Sequence, residues 1–228
     1  MKMRIDILSA VPDSLESTLN TSIIKRARDK DLVDIVVHNL RDYAYNKHKQ
    51  IDDKPYGGGP GMLLKPEPFF ECIEKLQNER NYQHIIFTTP RGKIFNQSVA
   101  NSFSLAENLI IIAGHYKGID ERVREKFATD EISIGNFVLS GGEILALVIV
   151  DSIVRLLPGA IGDSESMLHD SFMNGEFIEA PYYTRPADYK GLKVPEVLLS
   201  GNDKEIADWK DEQSKNLTEK WKKINSLE

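Results

Sequence analysis

The chain holds one cysteine in 228 residues, Cys72, so no intramolecular disulfide can form and no cysteine set can hold zinc. No apolar run reaches the ~18 residues that a membrane span requires. The opening MKMRIDILSAVPDSLES turns acidic too soon for a secretion signal. Positive charge is also scarce: the net charge of −6 excludes binding of nucleic acid by bulk positive charge, though not through a local basic patch. No G-x-S-x-G, P-loop or G-x-G-x-x-G frame occurs. The five histidines (38, 48, 84, 115 and 169) lack metal-ligand spacing and read as structural or exposed. These absences predict a soluble cytoplasmic protein with no membrane partner and no metal-ligand residues. Its length suits one large domain, or one with a small appendage.

Apolar runs alternate with amphipathic stretches. Strands are predicted at 4–8, 32–40, 84–88, 109–113 and 131–134, and helices at 13–29, 66–79, 96–107 and 120–128. This alternation predicts an α/β domain with a mostly parallel sheet. Asp13 with Glu16, Ser140 with Glu143 and Asn202 with Glu205 have capping-box spacing. The helix predicted at 144–157 is apolar almost all round, which predicts burial on several sides or a place in a subunit interface. Arg155 lies inside it and needs an anionic partner or a functional reason. Residues 161–175 are small, polar and acidic and read as a mobile linker, which places a domain boundary there. A Pro-rich stretch follows, then a helix with Ile206, Trp209, Gln213, Leu217 and Trp221 at helical spacing.

Four glycine-bearing segments carry the chemistry: DDKPYGGGPGM (52–62), TTPRG (88–92), GHYKGID (114–120) and SIGNFVLSGG (133–142). Three of them follow predicted strands. Parallel sheets bind ligands at the carboxyl ends of their strands, so these three loops predict one backbone-lined cleft for a small polar ligand. Residues 24–50 are locally basic and include Tyr43 and Tyr45, a pattern that suits phosphate contact and base stacking as well as a solvated face.

These motifs resemble the bacterial tRNA (guanine-N1) methyltransferase family across nearly the whole chain. The anchors are DDKPYGGGPGML (52–63), GHYKGIDERV (114–123), SIGNFVLSGGE (133–143), the Arg155 helix ending in LPG, HDSF (169–172), and YYTRP through VPEVLLSG (182–201). The resemblance implies the SPOUT class, in which an α/β domain threads a deep trefoil knot and carries a small, mainly helical C-terminal domain. Residues 1–160 would be the knotted domain, 161–175 the linker and 176–228 the tRNA-binding domain. It implies S-adenosylmethionine as cofactor, tRNA as partner, a homodimer, and methylation of N1 of the guanine immediately after the anticodon.

By motif position, the resemblance assigns Thr89, Pro90, Gly114, Tyr116, Ile134, Gly135, Asn136, Phe137, Val138, Leu139, Gly141 and Gly142 to the cofactor. It makes Asp170 the general base and Arg155 the partner of the guanine oxygen. His48, Asp52, Gly59 and Met62 are weaker substrate contacts. The chain departs from the family at Lys117, where Glu is common, and at Asn136-Phe137, where Asp-Tyr is common. Lys117 leaves the requirement for a magnesium ion open. Another SPOUT enzyme with a different target base, or a catalytically silent RNA-binding protein, remains as an alternative.

The chemistry fits these roles. N1 of guanine carries a proton, which a carboxylate can remove. The charge then spreads onto O6, where a guanidinium stabilises it.

Overall fold

The computed structural model describes residues 2–162, 170–173 and 175–225. They form two compact units, which divide between Gly162 and Asp163.

In the first unit a five-stranded sheet has the order β2-β1-β6-β5-β7, and its pairings are all parallel. Its strands are β1 (Met3–Ser9), β2 (Val33–Asn39), β5 (His84–Ile94), β6 (Asn108–Ile112) and β7 (Asp130–Ser133). The short strands β3 (Asp52–Asp53) and β4 (Leu63–Leu64) pair antiparallel outside it. The central strands read as continuous apolar runs because both of their faces are covered. Ile5, Ile7, Leu109 and Ile111 belong to one core cluster, and Leu8, Ile110 and Ile112 to the other.

Helices α1 (Asp13–Leu19), α2 (Ser22–Asp29), α4 (Gln97–Ser104) and α6 (Glu143–Val154) cover the first face. Helices α3 (Pro66–Glu79) and α5 (Glu121–Phe127) cover the second.

Five local expectations are corrected. The helix predicted at 13–29 is two helices: the chain breaks at Asn20-Thr21, and Ser22 has φ +50°. The break is satisfied by Asn20 Nδ2 donating to Glu16 O and by Arg28 donating to Leu19 O and Asn20 Oδ1. Pro12, not Asp13, occupies the N-cap, with no side-chain cap bond.

The predicted strand at 84–88 continues to Ile94. Residues 89–92 bulge out, and both Thr88 and Lys93 pair with Ile132. Gly92 permits this, because a Cβ there would lie 2.4 Å from Ile132 N.

Helix α6 begins at Glu143 with Gly142 as its N-cap, so Ser140 caps nothing. Arg155 is the half-buried C-cap of α6 rather than an interior residue.

Asp6 on β1 is fully buried. It accepts hydrogen bonds from Arg4 and Tyr82 and pairs with His38 Nε2 at 2.7 Å. Burial alone would raise its carboxyl, but the bonds to His38, Arg4 and Tyr82 win and hold it at about 2.

The second unit contains β8 (Asp188–Tyr189) and β9 (Leu192–Lys193), paired antiparallel, the one-turn helix α7 (Glu196–Leu199) and the long helix α8 (Asp203–Asn225). Asn202 Oδ1 accepts from Glu205 N, so this predicted cap forms. Trp221 packs edge-on against Phe172 and Trp209 lies beside Tyr183, so one face of α8 is covered by the segment that precedes the hairpin. Among the described residues, no helix is long and apolar enough to cross a membrane.

Candidate active site

The bulged stretch of β5 and the loops that leave the carboxyl ends of β6 and β7 meet around one cavity of about 240 Å³. Thr88, Thr89 and Pro90 come from the bulged stretch of β5. The loop after β6 gives Gly114, His115, Tyr116, Lys117 and Gly118, and the end of β7 with its loop gives Ser133, Ile134, Gly135 and 137–142, with Leu145 of α6 closing one side. Eleven of the twelve residues assigned to the cofactor by motif therefore line a single space. Asn136 is the exception and does not line it.

Close backbone approach dictates the glycines here. A Cβ on Gly142 would lie 2.2 Å from Thr88 Oγ1 and 2.8 Å from Gly114 N, and one on Gly141 would lie 2.2 Å from Glu143 Oε2. The loops after β6 and β7 are joined directly. Gly142 N donates to Gly114 O at 2.6 Å, and His115 and Gly141 form an isolated antiparallel bridge. Tyr116 holds φ +59°, a left-handed conformation that is strained for a bulky side chain and is typical of functional loops. The Phe137 ring lies against Gly135, where a Cβ would come within 2.8 Å of it.

The remaining assigned residues lie outside the cavity lining. Gly59 and Met62 belong to the glycine-rich loop before β4, which runs beside Lys117. Lys117 N donates to Met62 O at 3.1 Å, and its ammonium donates to Pro60 O at 3.3 Å. Asp52 is half-buried on β3, and His48 is exposed in the preceding loop. Arg155 belongs to the first unit and the half-buried Asp170 to the second. His169 and most of the predicted linker lie outside the described residues. No three His, Cys, Asp or Glu side chains gather as a metal-ligand set among the described residues.

Sequence reasoning missed Ser9, His115 and Glu143. His115, expected to be structural or exposed, lines the cavity with its Nδ1 buried. The one signal for Glu143 was an acid opening an otherwise apolar helix, and capping-box spacing explained that signal away.

A family model described as tRNA (Guanine-1)-methyltransferase TrmD matches residues 3–225. The chain belongs to this family. It is 55% identical over 208 residues to a tRNA (guanine-N(1)-)-methyltransferase of Chlorobium chlorochromatii, covering 91% of this chain and 90% of that protein. A protein of the same name from Bacteroides thetaiotaomicron is 54% identical over 218 residues, 96% of each chain. Another from Christiangramia forsetii is 52% identical over 218 residues, also 96% of each. The family's match thus spans both units and every loop of the cavity.

Proposed function

We propose that this protein methylates N1 of guanine in tRNA, at the position immediately after the anticodon, with S-adenosylmethionine held in the cavity between the β5 bulge and the loops after β6 and β7. The observation that carries this reading is the convergence of the β5 bulge and two glycine-rich loops on one cavity, in a chain matched almost end to end by its family. The lining fits an adenosyl ligand. Five glycines bring backbone donors and acceptors close, while Ile134, Phe137, Leu139 and Leu145 add apolar surface for a purine. The cofactor supplies an electrophilic methyl group.

The chain's own residues do the rest. Asp170 takes the N1 proton and Arg155 stabilises the charge that builds on O6. Gly59, Met62, Asp52 and the exposed His48 border the guanine or its neighbours. The deep trefoil knot, the linker at 161–175 and a tRNA-binding C-terminal domain from 176 onward belong to this reading. So does a cytoplasmic homodimer. Its support is the exposure of large apolar side chains in this part of the chain, Val138 at 95% and Ile144 at 57%.

The test is methyl transfer to tRNA transcripts with and without guanine after the anticodon, followed by mapping of the methyl group. Transfer to N1 of that guanine alone supports the reading. A methyl group on another base or atom identifies a different RNA methyltransferase, and failure to bind S-adenosylmethionine identifies a silent RNA-binding protein.

A further inference from the structure

Glu143 opens α6, where an acid usually reaches into solvent toward the helix N-terminus. Here it is 5% exposed. Burying a carboxylate is costly unless it is paired and hydrogen-bonded, so its partners explain its placement. Ser9, the last residue of β1, donates its hydroxyl to Glu143 Oε1 at 2.8 Å. The Ser9 hydroxyl is itself oriented, because it accepts from Val11 N at 2.9 Å. The other carboxylate oxygen, Oε2, lies 3.5 Å from Nδ1 of His115. That nitrogen is buried and has no hydrogen-bond partner.

The carboxylate and the imidazole both press on Gly141, where a Cβ would meet them at 2.2 and 2.5 Å. His115, Gly141 and Gly142 line the cavity, whereas Ser9 and Glu143 do not.

We propose that Glu143 is a positioning residue for the cavity: oriented by Ser9, its carboxylate holds the 114–118 loop against the 134–142 loop through His115. It ties the end of β1 to the loops after β6 and β7 without touching the ligand. The seam it underlies is the one closed by Gly142 N to Gly114 O and by the His115–Gly141 bridge. Loosening that seam spoils the shape of the cavity but leaves tRNA-contacting surfaces elsewhere intact. The functional half of this proposal rests on the cavity holding S-adenosylmethionine.

The experiment compares wild type with Glu143→Gln, Ser9→Ala and the double variant. It measures S-adenosylmethionine affinity by calorimetry, tRNA affinity by filter retention, melting temperature, and hydrogen exchange of the unliganded proteins. Glu143→Gln keeps the volume but removes the charge, and Ser9→Ala provides an independent route if the first variant folds poorly. Each single change is expected to weaken cofactor binding by about tenfold, because Glu143→Gln removes the charge that faces His115 and Ser9→Ala removes the hydrogen bond that orients the carboxylate. Exchange should speed up in both loops, and tRNA affinity should stay within about twofold. The double variant should bind cofactor no worse than Glu143→Gln, because Ser9 acts through Glu143.

Unchanged exchange in the two loops overturns the proposal. So does an unchanged cofactor affinity beside a lowered melting temperature, which marks a purely structural role. If wild type itself binds no S-adenosylmethionine, the cofactor reading of the cavity falls, and the exchange arm still decides whether Glu143 joins the loops.

Discussion

Gly142 leaves no space beside Thr88: a Cβ on the glycine would lie 2.2 Å from the threonine hydroxyl. The Thr88 hydroxyl is fixed, because it donates to Ile112 O at 2.9 Å and accepts from Gly114 N at 3.3 Å. Behind it the same Cβ would meet Gly114 N at 2.8 Å and Ala113 Cα at 3.1 Å, and backbone cannot step aside as a side chain can.

Gly142→Ala is therefore expected to destabilise the protein by about 1–3 kcal/mol in denaturant melts and to open the cavity. Thr88→Ala in the same background removes the hydroxyl but should restore little, since the backbone clashes remain. Gly162→Ala, which meets nothing within 4 Å, is the control and should melt like wild type. An equal loss in both glycine variants would refute the steric account.

Asp6 makes the protein acid-sensitive in a defined window. Its folded carboxyl sits at about 2, against an ordinary 3.8. A depressed folded value adds stability that is complete above pH ~3.8 and is lost as pH falls through ~2, amounting to about 2 kcal/mol. Asp6→Asn should cost about 3–5 kcal/mol at neutral pH, because Arg4 loses its buried partner. That penalty should shrink as pH falls from about 4 to about 2. Urea unfolding of the two proteins across this range measures the difference, and a penalty independent of pH would show that Asp6 acts by shape alone.

Much of this fold is legible in the amino-acid sequence. The run at 109–113 predicts a strand, and Asn108–Ile112 forms one. The segments 88–92, 114–120 and 133–142 meet at one cavity, the last two after strands and the first as a bulge inside β5. What stayed hidden depends on through-space contacts. Ser9 and Glu143 are 134 residues apart, and nothing in local spacing links them. The break at Asn20-Thr21 is invisible to apolar periodicity, because Leu15, Leu19, Ile24 and Ala27 are all buried whether the helix is continuous or broken. Asp170 was reached only through family motifs: an acid in a polar segment carries no physical signature of a base.

Lys117 changes the charge beside the cavity. Its ammonium rests on Pro60 O, at the edge of the glycine-rich loop. An ammonium repels a divalent cation and cannot ligate one, whereas a carboxylate at the same position would attract it. Transfer by wild type is expected to depend less steeply on magnesium than transfer by Lys117→Glu. The measurement is single-turnover methylation of prefolded tRNA with spermidine present throughout, titrating magnesium against a chelator. Because Lys117 is exposed, stability should differ by no more than about 0.5 kcal/mol. Equal magnesium slopes would sink the idea.

The sharpest test of the proposed chemistry is Asp170→Asn. The amide keeps nearly the shape of the carboxylate but cannot accept the N1 proton. Transfer in single-turnover conditions should fall by about 10²–10⁴-fold, the usual worth of a positioned base. Binding of S-adenosylmethionine and of tRNA should stay within about twofold, since neither needs the proton to move. Arg155 supplies the companion test. Arg155→Lys keeps the charge but loses the planar fork that two-point contact with an oxygen edge requires, so it should slow transfer while cofactor binding holds. Arg155 also caps α6, its backbone N–H donating to Asp151 O at 3.2 Å, so the melting temperature must be read beside the rate. A rate loss with an unchanged melting temperature assigns Arg155 to the reaction, and a parallel fall in both assigns it to the helix. Near-normal transfer by Asp170→Asn would remove the carboxylate from its role and require the N1 proton to leave by another route.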